Sequence, residues 1–309
     1  MGTVALTGAT GFVGRHVAAA LAAAGHRVRA LTRRDDPALR AGGIELVEGT
    51  LERVPEALLE DVELVVHVAG AVRAAHAQAF QEINGAATAR LAAAAAERGI
   101  GRFLQLSSLA ARMPGISPYA ASKAAGETAV LAAAGPMRVT IIRPPAVYGP
   151  YDRATLPLLR GLSRGVLVHP GHADGRFSLL HAADLARLVA LHYADVSATD
   201  SILEPDDGTA GGYTWRKLAA IAEERLGHRI RLVRLPRPPL ALAAWVAERY
   251  ARRAARPPVL SRGKVAELYH REWVSDMRAV DSATGWRPRI TFGDGLVETL
   301  AWYRQAGWL

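Results

Sequence analysis

The stretch TVALTGATGFVGRHVAAALAAAG, residues 3–25, decides the fold. It starts with a short apolar run, turns through Gly8, Gly11 and Gly14, and continues as an alanine-rich segment that ends at Gly25. The apolar run predicts a buried strand, and the alanine-rich segment predicts a helix. Glycines between them let the backbone approach a ligand closely, and a helix N-terminus offers free amide groups and a partial positive charge. The turn therefore predicts a site for the pyrophosphate of a dinucleotide.

The same order of strand, turn and helix repeats through the first half of the chain. Further strands are predicted in residues 26–34, 62–70, 102–108 and 137–149, and further helices in residues 84–99 and 118–135. Alternating strands and helices predict an α/β fold, a doubly wound parallel sheet with helices on both faces. Ligands of such sheets bind at the carboxyl ends of the strands.

The helix predicted in residues 118–135 begins with a tyrosine and a lysine four residues apart, Tyr119 and Lys123. Four residues are about one helical turn, so both side chains lie on one face. A phenol beside an ammonium group can give and take a proton near neutral pH. The chain has 38 basic residues but only three lysines, which indicates that position 123 needs a compact ammonium group. The pattern predicts a catalytic pair; the alternative is an ordinary helix that begins after a proline.

Composition limits the classes of protein to which the chain can belong. With 309 residues and 50% hydrophobic content, it forms one large domain or a domain with a smaller lobe. It has no cysteine, which excludes disulfides, a thiol nucleophile and thiolate metal sites. The N-terminus shows no leader-like pattern and no run of about 18 apolar residues occurs, so we expect a cytoplasmic protein without a spanning helix.

The net charge of +9 is concentrated in the last third of the chain, where residues 205–309 carry 18 basic and 11 acidic side chains. Such a segment can attract nucleic acid, anionic lipid or an anionic substrate. The basic and aromatic residues do not form a cluster typical of nucleic-acid binding. We therefore expect arginines on solvated faces and no nucleic-acid partner.

The end of the second predicted strand distinguishes between two cofactors. An acidic residue there bonds the ribose hydroxyls of NAD, whereas a basic residue favours the 2′-phosphate of NADP. Here Arg33 and Arg34 follow the strand, and the first acidic residue is Asp35. The sequence therefore predicts NADP, with NAD as the less favoured alternative.

Eight motifs follow one another in a characteristic order. They are TGATGFVG (7–14), HVAG (67–70), INGAATARL (83–91), LSSLA (106–110), YAASK (119–123), IIRPPAVYGP (141–150), SLLHAADLARLVALH (178–192) and GWRPRITFGDGLVETLAWYRQAGWL (285–309). Over most of the chain they resemble the extended branch of the short-chain dehydrogenase/reductase superfamily, the NAD(P)-dependent epimerase/dehydratase-like enzymes. The resemblance implies a Rossmann-type fold with a smaller C-terminal substrate-binding lobe. It assigns residues 1–150, with 176–198 returning, to an NAD(P)-binding domain, and residues 151–175 and 199–309 to the lobe.

The same resemblance implies roles for individual residues. Ser108, Tyr119 and Lys123 match the catalytic group, with Ser107 as the less favoured serine. The tyrosine passes a proton to or from the reacting oxygen, the serine bonds that oxygen, and the lysine bonds the nicotinamide ribose and lowers the pKa of the tyrosine. The residues matched to cofactor binding are Gly8, Thr10, Gly11, Phe12, Val13, Gly14, Arg33, Arg34, Leu51, Val68, Ala69, Gly70, Asn84, Tyr119, Lys123, Pro144 and Val147.

Two positions depart from the family's pattern. Where family members often have an aspartate near the adenine, this chain has Thr50. Nucleotide-sugar epimerases of this branch often carry an arginine for a diphosphate, four residues before the position of His181. Here that residue is Phe177, with Arg176 next to it. A diphosphate-sugar substrate is therefore disfavoured.

Histidines near the predicted cleft allow two interpretations. His181 and Asp184 have helical spacing, but neither a third ligand nor a cysteine lies nearby in sequence. We therefore expect them to pack the sheet against the lobe, and we expect no metal. His169 and His172 fall in a loop predicted to border the cleft, as surface residues or as substrate contacts.

Residues 238–258 join an apolar start, with Trp245 and Tyr250, to a basic end. The arginines of that end are Arg249, Arg252, Arg253 and Arg256. One interpretation is an amphipathic helix that rests on a membrane surface and admits a lipid-like ketone. The plainer interpretation, which we favour, is a lid or packing helix with a solvated basic end.

Three functions remain open at this point. The leading one is an NADP(H)-dependent oxidoreductase that reduces a carbonyl, or oxidises an alcohol, of a small and fairly apolar substrate. The second is a nucleotide-sugar epimerase or dehydratase with tightly bound NAD(P), and the third is a non-catalytic nucleotide-binding structural subunit. The family resemblance also implies a homodimer through residues 84–98 and 119–134.

Overall fold

The structure of the protein, a computed structural model, describes residues 2–172, 174–194, 201–254, 257–258 and 260–309. Its strands are β1 (Thr3–Thr7), β2 (Arg27–Thr32), β3 (Glu45–Glu48), β4 (Leu64–His67), β5 (Arg102–Leu106), β6 (Arg138–Ile142), β7 (Ala146–Tyr148), β8 (Val166–Pro170), β9 (Arg176–Phe177), β10 (Leu179–His181), β11 (Ser201–Leu203), β12 (Arg231–Leu235) and β13 (Glu272–Trp273).

The helices alternate with the strands through the first half of the chain. They are α1 (Phe12–Ala23), α2 (Pro37–Ala41), α3 (Glu56–Leu59), α4 (Ala77–Phe80), α5 (Ala87–Glu97), α6 (Pro118–Ala133), α7 (Leu156–Ser163), α8 (Ala182–Ala194), α9 (Trp215–Leu226), α10 (Arg237–Ala254), α11 (Arg262–Tyr269), α12 (Arg278–Thr284) and α13 (Phe292–Gln305). A π-helical turn, Gln81–Ala86, leads into α5.

Seven parallel strands form the central sheet, in the order β11-β6-β5-β4-β1-β2-β3. The chain builds outward from β1 through β2 to β3, then returns to place β4 on the other side of β1 and continues through β5 and β6. The strand order therefore reverses between β1 and β4, which is where open α/β sheets bind their ligands. The predicted α/β, doubly wound, Rossmann-type fold is confirmed.

Successive side chains of a strand point to opposite faces, so the sheet has a separate core on each face. One core joins Leu6 and Leu104 of the sheet to Leu21 of α1 and Leu188 of α8. The other core joins the alternate positions of the sheet to α5 and α6; it includes Ala5, Val65, Phe103, Leu91, Ala95 and Val130. The apolar runs are thus buried on both sides, as parallel strands require.

A third core holds together several of the elements that follow β6, among them α7, α9 and α13. Three small two-stranded sheets, β7 with β10, β8 with β12 and β9 with β13, accompany it. The division into an NAD(P)-binding domain and a lobe stays a prediction, and its boundary between residues 198 and 199 lies outside the described residues. β11 falls within the range assigned to the lobe, yet it pairs with β6 as an edge strand of the central sheet.

Candidate active site

The glycine turn forms a backbone cradle at the point where the strand order reverses. A Cβ atom at Gly14 would lie 1.9 Å from the carbonyl oxygen of Gly8, and one at Gly8 would lie 2.6 Å from the backbone nitrogen of Ala69. Gly8 also has a φ of +78°, which L side chains rarely adopt. Gly11 is the N-cap of α1 and leaves its first amides uncapped by a side chain. These features fit the pyrophosphate of a dinucleotide.

The remaining residues predicted in this turn surround the cradle. Thr10 is exposed, and Phe12 and Val13 are partly buried at the start of α1. Val68 and Ala69 follow the neighbouring strand β4, so two adjacent strand ends contribute backbone to one cleft.

A buried histidine ties these strand ends together. The Thr7 hydroxyl lies 2.7 Å from Nδ1 of His67, and Nε2 of His67 lies 2.9 Å from the Thr88 hydroxyl. Thr88 donates its own proton to the carbonyl of Asn84, so it accepts from Nε2–H, and Nδ1 accepts from Thr7. Burial, and then the charge of Lys123, lower the pKa of His67 to about 3, so the ring stays neutral.

Asn84 and Lys123 meet beside Gly70. A Cβ atom at Gly70 would lie 3.0 Å from Oδ1 of Asn84 and 3.5 Å from Nζ of Lys123. The Asn84 amide accepts from the backbone nitrogen of Ala71 at 2.7 Å and donates to the Ser122 hydroxyl at 2.9 Å. The π-helical turn Gln81–Ala86 carries this asparagine, and such turns are frequent at functional sites.

The Lys123 side chain is buried and partly bonded. Its ammonium group donates to the carbonyl oxygen of Leu106 at 2.7 Å, at the end of β5. Burial lowers the pKa of Lys123 to about 8, and the nearby Glu127 carboxylate opposes this shift. The other two ammonium protons are available for ligand oxygens.

Tyr119 lies in the first turn of α6, the helix that also carries Lys123. The Tyr119 phenol interacts with the Ser108 hydroxyl. Burial raises the pKa of Tyr119 to about 12, the interaction with Ser108 lowers it, and the Glu267 carboxylate raises it further. This direction is opposite to the lowering expected from Lys123. Desolvation outweighs the other effects, and Lys123 is not among the groups that shift this pKa. The phenol is therefore protonated throughout the neutral range.

A buried network behind Lys123 escaped the sequence analysis. The Ser107 hydroxyl donates to the Glu127 carboxylate, which also accepts two bonds from Arg143, at 2.9 and 2.6 Å. Ser107 is thus occupied, which leaves Ser108 next to Tyr119. The one available signal was spacing, because Glu127 follows Lys123 by four residues on the same helix.

The strand end predicted to choose between cofactors presents two arginines. Arg33 and Arg34 are exposed, and none of the carboxylates in the described part of the chain pairs with them. The neighbouring acids are engaged, Asp35 with Arg40 and Asp36 with Arg15, both at 2.5 Å. This leaves positive charge free at the end of β2.

The last predicted cofactor contacts come from three separate segments. Leu51 presents its carbonyl oxygen to Arg90, at 2.8 Å from Nε, next to Thr50 in the turn after β3. Pro144 follows β6 and accepts a backbone bond from Leu109 at 2.9 Å. Val147 lies on β7, paired in register with β10.

His181 and Asp184 occupy packing positions. The His181 ring is fully buried against Tyr148, with 5.2 Å between the ring centroids, and burial lowers its pKa to about 4. Asp184 accepts from the backbone nitrogens of Arg289 and Ile290, both at 2.8 Å, and so ties the start of α8 to the C-terminal segment. Among the described residues no three His, Asp or Glu side chains gather as a metal site requires.

The other residues considered near the cleft are engaged in contacts of their own. The rings of His169 and Trp215 stack at 5.7 Å, and His172 bonds Arg271 at 3.0 Å. Phe177 also packs on Trp215, with 4.5 Å between centroids. The neighbouring Arg176 forms an ion pair with Glu272 at 3.0 Å, and this position offers no free cation to a diphosphate.

Comparison with known proteins adds a second line of observation. Residues 4–202 match the model of the NAD dependent epimerase/dehydratase family. The ceramide reductase of Caulobacter vibrioides is 39% identical over 100% of this chain and 96% of its own length. The UDP-glucose 4-epimerase of Vibrio cholerae is 24% identical over 98% of this chain and 96% of its own length. The solved structure of MoeE5 in complex with UDP-glucose and NAD covers 99% of each chain, with a TM-score of 0.76 at 22% identity, which shows the fold alone.

Proposed function

The chain belongs to the NAD dependent epimerase/dehydratase family, and from that premise we propose that it is an NADP(H)-dependent reductase acting on a carbonyl group of an apolar, ceramide-like lipid. Membership confirms the prediction of an NAD(P)-dependent enzyme of the extended short-chain dehydrogenase/reductase type. The substrate, the direction of the reaction and the choice of cofactor are the proposed parts.

The observation that carries the reductase proposal is the 39% identity over the whole chain to a protein named as a reductase, and the protonation state of the site agrees with it. Tyr119 has a pKa of about 12 and therefore holds its proton at neutral pH, as a proton donor to a carbonyl oxygen must. The Ser108 hydroxyl accepts from the backbone nitrogen of Ala110 at 3.2 Å and interacts with the Tyr119 hydroxyl, so the two hydroxyls are placed to bond one carbonyl oxygen. Lys123 would bond the ribose hydroxyls of a bound cofactor with the donors that Leu106 leaves free.

In the proposed reaction, the cofactor, when bound as NADPH, would supply the hydride for the carbonyl carbon. Tyr119 gives its proton to the carbonyl oxygen, and Ser108 stabilises the charge that develops there. The tyrosinate then regains a proton from solvent. One ketone and one proton thus become an alcohol, with one NADPH oxidised to NADP.

The substrate class rests on two independent observations. The relative with 39% identity across the whole chain is named for ceramide. At the position where sugar-nucleotide enzymes of the family often place an arginine, Phe177 packs on Trp215, and the adjacent Arg176 is neutralised by Glu272. An aromatic wall and a neutralised cation suit an apolar molecule better than a diphosphate.

NADPH consumption tests the reductase proposal. The assay follows NADPH absorbance with a long-chain keto-ceramide, a short-chain ketone and UDP-glucose, for wild type, Tyr119→Phe and the exposed control Tyr151→Phe. We expect turnover of the keto-lipid, a loss of about 10²- to 10⁴-fold in Tyr119→Phe, and wild-type rates in the control. Interconversion of UDP-sugars without net NADPH oxidation overturns the proposal in favour of an epimerase, the function named for the Vibrio cholerae relative.

NADP is proposed over NAD because Arg33 and Arg34 are exposed while Asp35 and Asp36 are engaged by other arginines. A charge-assisted bond to the 2′-phosphate predicts that the double variant Arg33→Ser/Arg34→Ser raises KM for NADPH about tenfold or more. KM for NADH is expected to stay unchanged. In the control Arg304→Ser, KM is expected to stay unchanged for both NADPH and NADH. Equal loss with both cofactors contradicts the proposal.

Location and assembly are two further parts of the proposal. Helices of sufficient length and apolarity to cross a membrane are absent from the described part of the chain. We propose a cytoplasmic protein and, through residues 84–98 and 119–134, a homodimer. Light scattering at several concentrations tests the dimer, and a monomer at every concentration contradicts it.

A further inference from the structure

Helix α10 exposes its large apolar side chains to solvent, whereas a packing helix buries them against the protein. Among the side chains of this helix that the structure describes, the buried ones are small, Ala244 and Ala251. The large ones are exposed: Leu242 by 64%, Trp245 by 44%, Val246 by 53% and Tyr250 by 74%. At about 100° per residue, these four and Arg249 fall within an arc of about 140°, and the two alanines lie opposite its centre. We call Leu242, Trp245, Val246, Arg249 and Tyr250 the α10 face.

The segment around this face is strongly basic. Residues 229–256 contain eight arginines and one glutamate, a net charge of +7 out of +9 for the chain. The glutamate, Glu248, is held by α11, where it accepts from the backbone nitrogen and Nε of Arg262 at 2.7 and 2.9 Å. The side chains of Arg252 and Arg253, and all of Arg256, lie outside the described residues. These three arginines contribute here only to the net charge counted from the sequence.

The described arginines of the segment lie on the surface. Arg231 and Arg234 are exposed on β12, and Arg237 is exposed at the start of α10. No ion pair joins these three to a carboxylate in the part of the chain that the structure describes. The guanidinium of Arg249 lies over the Trp245 ring, 5.3 Å from its centroid. Arg249 therefore lies within the α10 face, Arg237 begins the same helix, and Arg231 and Arg234 lie on the strand that precedes it.

These two properties select among possible occupants of the face. A second copy of the chain placed on it brings two segments of +7 together, which repel each other. A nucleic acid satisfies the arginines but leaves four large apolar side chains without an apolar partner. A bilayer with anionic head groups satisfies both, because tryptophan and tyrosine favour the interface and arginines bond phosphates.

We propose that the α10 face is a peripheral docking surface for anionic lipid bilayers. The helix lies parallel to the membrane, with Leu242, Trp245, Val246 and Tyr250 inserted at the level of the head groups. Arginines of β12 and α10 contact lipid phosphates around them. This docking follows from the face itself, whereas the delivery of substrate described next rests on the proposed function.

One helix separates the α10 face from the candidate active site. α10 packs on α11, and Glu267 of α11 accepts a 2.5 Å bond from the hydroxyl of Ser117, the N-cap of α6. A Cβ atom at Gly263 of α11 would lie 3.0 Å from the side chains of both Ser117 and Pro118, so the two helices are in close contact. Tyr119 is the second residue of α6. A docked α10 thus holds the site close to the layer that contains a lipid substrate.

Vesicle sedimentation tests the docking. The probes are vesicles of phosphatidylcholine alone and of phosphatidylcholine with one-third phosphatidylglycerol, at two salt concentrations. We expect binding to the anionic vesicles only, weakened by high salt. Trp245→Ser/Tyr250→Ser removes two interfacial side chains and lowers the affinity at least about tenfold. Arg231→Ser/Arg234→Ser lowers it about 25-fold, because each arginine contributes about fivefold.

Matched controls exclude general effects of charge and polarity. Val297→Ser removes an exposed apolar side chain from α13, and Arg216→Ser/Arg304→Ser removes two exposed arginines from α9 and α13. We expect both to bind vesicles like wild type. Thermal melting is expected to be unchanged in all four variants, because the altered side chains are exposed.

Three outcomes overturn the docking proposal. Absence of binding to anionic vesicles does so, as does equal loss of binding in the controls. A dimer in light scattering that Trp245→Ser/Tyr250→Ser dissociates assigns the face to a second copy instead. Activity separates this proposal from the proposed function: the face variants keep activity on a dispersed short-chain ketone and lose it on vesicle-embedded lipid. An enzyme inactive on every ketone that still binds vesicles through this face refutes the reductase function alone.

Discussion

Raising the pH above 8 is expected to slow the capture of NADPH, because Lys123 then loses its charge. Burial lowers the pKa of Lys123 to about 8, whereas burial raises the pKa of Tyr119 to about 12. Both groups are therefore in their required forms at pH 7. On the alkaline side the lysine titrates first, and the tyrosine remains a proton donor well beyond that point.

The size of the effect follows from the pKa of Lys123. With a value of about 8, about nine-tenths of the ammonium groups are charged at pH 7 and about one-tenth at pH 9. We expect kcat/KM for NADPH to fall about tenfold between these pH values, with a midpoint near 8. This ratio reports ionisations of the free enzyme, which is the state that the structure describes.

Two variants assign the alkaline limb to its residue. Lys123→Arg keeps a positive charge at every accessible pH, so we expect a lower rate with no fall near pH 8. Tyr119→Phe lowers the rate but keeps the midpoint of the wild type. A wild-type profile that stays flat to about pH 10 refutes the reasoning, and so does an unchanged limb in Lys123→Arg.

Three further predictions concern the turn, the buried histidine and the bond between α11 and α6. Gly14→Ala places a Cβ atom 1.9 Å from a carbonyl oxygen, so we expect lost NADPH binding in calorimetry and about 1–3 kcal/mol of lost stability; Gly115→Ala, with nothing within 4 Å, is the control and must behave like wild type. His67 has a pKa lowered from 6.5 to about 3, so the stability that its neutral ring supports is complete above pH 6.5 and is lost as the pH falls towards 3. Between pH 6.5 and 5 this loss amounts to about 2 kcal/mol, and we expect urea unfolding to show it in wild type and not in His67→Gln. Glu267→Gln removes a charge that raises the pKa of Tyr119, so ultraviolet titration, referenced to Tyr119→Phe, should show ionisation at a lower pH; an unchanged midpoint contradicts this contribution.

The sequence by itself determined the sheet, the glycine turn and the family. These features are local, because the strand and helix periods of residues 3–25 and the spacing of Tyr119 and Lys123 can be read along the chain. The order of the motifs then identified the extended short-chain dehydrogenase/reductase type before any contact was known. The sequence also showed that position 177 is a phenylalanine, where nucleotide-sugar enzymes of the family often have an arginine. The ion pair that engages the neighbouring Arg176 was visible only in the structure.

The tertiary structure alone decided the properties that depend on residues distant in sequence. Desolvation, which no local pattern reports, sets the pKa of Tyr119 above its usual value and reverses the expectation based on Lys123. The bond of Ser107 to Glu127 joins two elements and leaves Ser108 beside the tyrosine. For α10, the sequence showed an amphipathic helix with a basic end, but the direction of its apolar side depends on the neighbour against which it packs. The structure buries the alanines against the rest of the protein, on which α10 packs through α11, and leaves the large apolar side chains exposed, because small residues allow close helix packing.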